Sequence, residues 1–175
     1  MSAPDCYKLR RETTTDLGAI REVETAAFGR PGEAALVDAL RAAGALVLSG
    51  VAEVGQEVVG HIAFSPITIE NEGRSFEAIA LAPLAVSPDW QRKGVGSALV
   101  RWSLHECRRD GHELVIALGH PEYYPRFGFV PAGSRGLTVR WEVPPAAFMV
   151  LELSPGALPP GPWRAEFPAF FDYAV

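Results

Sequence analysis

A chain of 175 residues, 48% of them hydrophobic, holds enough apolar material for one compact domain and too little length for several. Its net charge of −5 leaves no overall positive field for a polyanion, so nucleic acid is not expected as a partner. No uncharged apolar stretch reaches the roughly 20 residues of a membrane span, and Met1 to Cys6 has no basic region followed by an apolar one, so a cytoplasmic protein with no membrane partner is expected.

Tyr7-Lys8-Leu9-Arg10-Arg11 alternates as an edge strand does. Thr15 or Asp16 then caps a predicted helix in which Ile20, Val23, Ala27 and Phe28 recur at helical spacing, and Gly29-Arg30-Pro31-Gly32 breaks it. A second helix is predicted from Glu33 to Ala43, with Leu36, Val37 and Leu40 on one side and Gly44 as its stop. From Ala45 to Glu70 the period becomes that of a strand. Leu46-Val47-Leu48 and Val51 to Val54, a Gly55-Gln56 turn and Val58 to Phe64 together predict an antiparallel hairpin. After the polar turn Asn71 to Arg74 a buried strand is predicted from Phe76 to Val86, and its alternate residues Ala78, Ala80 and Ala82 form a face of small side chains that leaves room for something else. Pro83 interrupts this strand. Lacking an N–H, it belongs at an edge, a bulge or a point where pairing stops.

Val95 to Arg109 predicts a helix with one narrow polar stripe, Ser97, Arg101, His105 and Arg108, and Asp110-Gly111 ends it. Glu113 to Leu118 follows as a parallel strand, completing a strand-helix-strand unit. His120-Pro121-Glu122 opens a short helical turn that holds Tyr123 and Tyr124. Beyond Val130 the chain is rich in Pro, Gly and aromatics, with Phe148 to Leu153 its clearest strand. Trp163, Phe167, Phe170, Phe171 and Tyr173 carry too much apolar area for a free tail, so the tail packs on the domain or on the second subunit of a homodimer. The expectation is one domain over 1–175, with a core of about 7–153 and an extension over 154–175. Cys6 and Cys107 lack CxxC spacing and a histidine arrangement nearby, so both are structural and no metal is expected.

Between the buried strand and its helix lies Gln91-Arg92-Lys93-Gly94-Val95-Gly96-Ser97. Two glycines let the backbone approach a ligand without a Cβ in the way, and the first helical turn offers N–H groups without intrahelical partners beside the positive end of the helix dipole. That is a seat for a diphosphate. The spacing is not GxxxxGK[ST], and it is not a dinucleotide fingerprint, because Leu99 stands where a third glycine would be and Gly119 and His120 stand where an acidic residue is needed. What remains is [QR]-x-x-G-x-[GA] after a buried strand. With Leu84-Ala85-Val86-Ser87-Pro88 before it and Tyr123-Tyr124-Pro125-Arg126-Phe127-Gly128-Phe129 about 30 residues later, it closely resembles the GCN5-related N-acetyltransferase (GNAT) superfamily.

This resemblance covers roughly Tyr7 to Leu153 and implies an α/β fold: a mixed, splayed central β-sheet flanked by helices, in the order β-α-α-β-β-β-α-β-α-β-β. It implies acetyl-CoA as co-substrate, its pantetheine arm on the backbone of Leu84, Ala85 and Val86 and its diphosphate on the loop, with Gln91, Arg92, Lys93, Gly94, Val95, Gly96 and Ser97 as binding residues. It implies transfer of an acetyl group to an amine, small molecule or peptide, with Tyr124, four residues before Gly128, as the general acid on the departing thiolate. A non-catalytic CoA sensor and a user of another acyl-CoA are the alternatives. Many relatives carry a glutamate in the strand before the loop. Ala78 to Ala82 has no ionisable side chain, so the base is sought at Glu77 or Glu70 through water, or at His120 beside the tyrosine turn, while His61 in its apolar strand reads as a satisfied core histidine.

Overall fold

The computed structural model describes residues 7–174; Cys6 and the rest of the first six residues lie outside it. Among the described residues nine strands form one sheet. They are β1 (Tyr7–Arg11), β2 (Leu48–Val54), β3 (Glu57–Asn71), β4 (Arg74–Val86), β5 (Leu114–Leu118), β6 (Val130–Pro131), β7 (Leu137–Val139), β8 (Phe148–Glu152) and β9 (Trp163–Glu166), and the helices are α1 (Leu17–Phe28), α2 (Gly32–Ala42) and α3 (Val95–Arg109). The main path runs β1-β2-β3-β4-β5-β8-β6, antiparallel except where β4 meets β5. The long β3 shares one edge between two partners: β2 takes its first half, and β9, itself parallel to β7, pairs with Thr68 to Glu70.

Side chains alternate across the sheet and build a core on each face. Ile79 and Leu81 of β4 join Ile62 and Phe64 of β3 under Leu99, Val100 and Leu104 of α3. Helix α3 can lie this close because β2 and β3 offer glycines beneath it; a Cβ on Gly50 would fall 2.3 Å from Trp102, and one on Gly60 2.9 Å from Leu99. The other face carries α1 through Ile20 and Val23, α2 through Leu36 and Leu40, and the C-terminal aromatics. Helix α1 ends at Gly29, whose φ of 67° supplies the left-handed cap that a side chain would resist.

Three expectations need correction. The short helical turn predicted to open at His120 and hold both tyrosines begins later, as a 3₁₀ turn over Tyr124–Phe127 with Tyr123 just before it and Pro125 in its first positions, and it ends at Gly128 at φ 97°. The face of small side chains is not open along its length: Ala78 and Ala80 are buried in the core with Leu36, Trp163 and Phe167, and only Ala82 reaches a cavity. The region after β5 holds four strands, where two were expected. No helix among the described residues is long and apolar enough to cross a membrane.

Candidate functional site

The sheet opens where β4 and β5 part. Parallel pairing joins Ile79, Ala80 and Leu81 to Val115, Ile116 and Ala117 and then stops. Beyond it, Leu84, Ala85 and Val86 keep β3 on one edge, opposite Ile62, His61 and Gly60, and among the described residues no strand takes the other edge. Ala82 and Pro83 together oppose Ala63, so Pro83 stands in a bulge where its missing N–H costs no ladder bond. A cleft of about 860 Å³ passes through the opening. Its two mouths lie on opposite faces of the sheet, one at the start of α3 and the other between α1, α2 and the C-terminal tail.

At the first mouth the backbone turns through Arg92 (φ 59°) and Gly94 (φ 87°) into α3, whose first helical bond runs from the N–H of Ala98 to the carbonyl of Gly94. The main-chain N–H groups from Arg92 to Ser97 donate to no acceptor among the described residues. Gly96 brings the backbone close to the cleft wall, since a Cβ there would lie 3.0 Å from the Tyr123 hydroxyl and 3.4 Å from Val86. Leu84, Val86, Gln91, Arg92, Gly94, Gly96 and Ser97 line the cleft. Ala85 and Val95 turn their side chains into the core, and Lys93 lies over the Trp90 ring at 5.3 Å, so these three can offer a ligand little beyond their main chain. Gln91 donates its Nε2–H to the Val86 carbonyl (3.0 Å), tying the loop to the free end of β4.

The tyrosines of the 3₁₀ turn diverge, their rings nearly perpendicular with centroids 5.3 Å apart. Tyr123 reaches the loop, its hydroxyl 3.4 Å from the Ser97 hydroxyl, and is flanked by Arg126 at 4.8 Å. Tyr124 lies deeper, 6% exposed, against Phe129. Its ring fits because position 119 is glycine: a Cβ there would fall 2.7 Å from it. Burial, with Tyr123 beside it, pushes the Tyr124 phenol above its ordinary pKa, so it keeps its proton at neutral pH. His120 lines the same wall and is exposed. Glu77 is exposed on β4 opposite Thr68, outside the walls of the cleft, because four extended residues separate it by about 13 Å from Leu81. Glu70 is engaged by Arg164 at 2.6 Å.

His61 is a satisfied core histidine, fully buried between Glu24 Oε1 (2.5 Å from Nδ1) and the Ser49 hydroxyl (2.8 Å from Nε2). Ser49 donates to Glu12, which also accepts from Arg41, so Nε2 must donate to Ser49 and one proton is shared between His61 and Glu24. Burial raises the Glu24 pKa, and the nearby Glu33 charge adds to it.

The second mouth was not legible in the sequence. It is walled by Ala27 and Phe28 of α1, Leu36 of α2, Phe171 of the tail, and Glu33, the one carboxylate side chain of the cleft lining among the described residues. Glu33 is 3% exposed and accepts from Arg30. An acidic residue in the first turn of a helix reads as dipole compensation, and nothing in the spacing distinguishes it from that. No group of three or more metal-ligating side chains is gathered among the described residues.

Residues 45–131 match the family model of the acetyltransferase (GNAT) domain. The chain is similar to two uncharacterized N-acetyltransferases of Escherichia coli K12. It is 42% identical to YjhQ over 133 residues, covering 74% of each chain, and 34% identical to YhbS over 151 residues, covering 86% of this chain and 89% of the other. The crystal structure of Escherichia coli YhbS in complex with CoA superposes with a TM-score of 0.89 at 32% identity, over 98% of this chain and 96% of that one. A GNAT acetyltransferase of Brucella melitensis in complex with acetyl-CoA gives 0.77 at 36% identity, over 95% and 98%.

Proposed function

The chain belongs to the GNAT superfamily of acyl-CoA-dependent N-acetyltransferases, and from that premise we propose that it moves an acetyl group from acetyl-CoA directly to a primary amine. The observation that carries this reading is the run of unpartnered N–H groups from Arg92 to Ser97 opening onto the free edge of β4. Those groups suit the diphosphate, each charge-assisted bond being worth roughly 1.5–3 kcal/mol. The outer edge of Leu84 to Val86, which no strand among the described residues covers and on which Gln91 already holds the Val86 carbonyl, suits the amide groups of the pantetheine arm, which would add to the sheet as a strand does. The acetyl thioester then lies at the split, between the two mouths.

The neutral amine nitrogen attacks the carbonyl carbon, the carbon–sulfur bond breaks, the sulfur takes the proton of the Tyr124 hydroxyl, and the proton that the nitrogen sheds on becoming an amide passes through water to restore that hydroxyl. The amine must have lost its own proton before attack. Direct transfer is favoured because Cys107, the one cysteine among the described residues, is buried in the core with its thiol pushed up to about 12 by burial, and carries no acyl group there.

Gly94→Glu and Gly96→Glu each place a carboxylate where the diphosphate would lie. Calorimetric titration with CoA is expected to show affinity falling by about 100-fold or more, the loss of two such bonds, in variants whose circular dichroism and melting show a retained fold. Unchanged affinity in folded variants would remove the loop as the CoA seat.

A further inference from the structure

Two of the three large hydrophobic side chains that are exposed among the described residues, Phe28 (40%) and Tyr173, stand where α1, α2 and the tail meet. Phe28 lines the cleft there with Leu36 and Phe171, and the Tyr173 carbonyl closes on Gly32, where a Cβ would lie 2.3 Å away. Among these apolar walls stands Glu33. Arg30 approaches it from the surface, with Nη2 2.5 Å and Nε 3.1 Å from Oε1, while Oε2 has a single contact at 3.2 Å. A carboxylate offers about four acceptor positions, so Oε2 keeps capacity for a further donor. Among the described residues the lining has no second carboxylate side chain, and its arginines, Arg92 and Arg126, lie at the other mouth.

We propose that the acceptor is a monoamine on an apolar body, its nitrogen received by the Glu33 carboxylate and its body by Phe28, Leu36 and Phe171. This rests on the acetyl-transfer reading above. A polyamine would bring cations that have no partner on these walls, and an amino acid would bring a carboxylate against Glu33, with Glu24 behind it. An aromatic or alkyl body gains instead from covering exposed Phe28.

The test measures thiol release from acetyl-CoA with 2-phenylethylamine, hexylamine, methylamine, spermidine, glycine and an unblocked peptide. The first two are expected to show a kcat/KM about tenfold or more above the others. Glu33→Gln should raise the KM for 2-phenylethylamine about tenfold or more, the worth of a charge-assisted hydrogen bond, and leave the KM for acetyl-CoA unchanged. Phe28→Ala, with its fold checked by circular dichroism and melting, should remove the preference for 2-phenylethylamine over methylamine. Best activity with spermidine, glycine or the peptide, or an unmoved preference in Phe28→Ala, overturns the proposal while leaving acetyl transfer intact. CoA binding with no thiol release from any amine overturns acetyl transfer itself, and this inference with it.

Discussion

At Tyr124 the buried phenol holds its proton more tightly than a free one, so at neutral pH it is a donor and no anion competes for the sulfur. A donor of that kind matters only in the step where negative charge gathers on the departing thiolate, which separates turnover from binding. Tyr124→Phe keeps the ring that fills the space beside Gly119 and Phe129 and deletes one oxygen. We expect kcat to fall about 100-fold, in the range for a lost general acid, with CoA affinity in titration unchanged. Equal turnover in the two proteins would assign the acid role elsewhere, with Tyr123 the next to test, since its hydroxyl is the one beside Ser97. Tyr124 was legible because its spacing to Gly128 is a local pattern. The place of Glu33 in the cleft was not, because the wall there is shared with Ala27 and Phe171, which are distant from one another in sequence.

At the scale of elements, α3 and its loop were readable to the residue because glycine spacing, the helix start and the apolar stripe all act within one stretch of chain. The split was half readable. Pro83 announced that pairing fails, but where β5 leaves β4 depends on which strands meet. The junction of β1 and α1 is also local. Asp16 accepts the Thr13 N–H at 2.7 Å and two bonds from Arg10 at 2.7 and 3.0 Å, and Arg10 also holds Glu53 of β2. The Arg10 hydrogen bonds lower the Asp16 pKa from 3.8 to about 2 against the cost of burial. The folded protein therefore binds fewer protons than the unfolded chain between these values, and the stabilisation is present above about pH 4 and lost as pH falls through about 2. Asp16→Asn is expected to cost about 2 kcal/mol at neutral pH and much less near pH 2, as measured by urea unfolding at both. A cost that does not shrink with acid would mean that the residue acts by packing or capping alone.

At the scale of the molecule, the two faces of the sheet differ in how they are covered. One carries α3, a regular element with a clear stripe; the other is finished by an irregular tail whose aromatics signalled burial without saying where. Prolines at 159, 160 and 162 and a 3₁₀ turn, Ala169–Tyr173, erase any period there, so only the structure shows that the tail packs in cis. β9 extends β3, Arg140 holds Asp172 at 2.7 Å and the Phe167 carbonyl at 2.7 Å, and Phe171, 4% exposed, packs edge-on to Phe167 while forming part of the second mouth. The same residue thus closes a core and shapes a site. Phe171→Ala should lower stability by about 3–5 kcal/mol, the usual cost of emptying a buried phenylalanine site, and should raise the KM of an apolar amine more than that of methylamine. Because its contacts come from its own chain, the loss in melting temperature should be the same over two decades of protein concentration. A shift that grows on dilution would mean that a second subunit contributes to holding the tail, since only an intermolecular contact follows mass action.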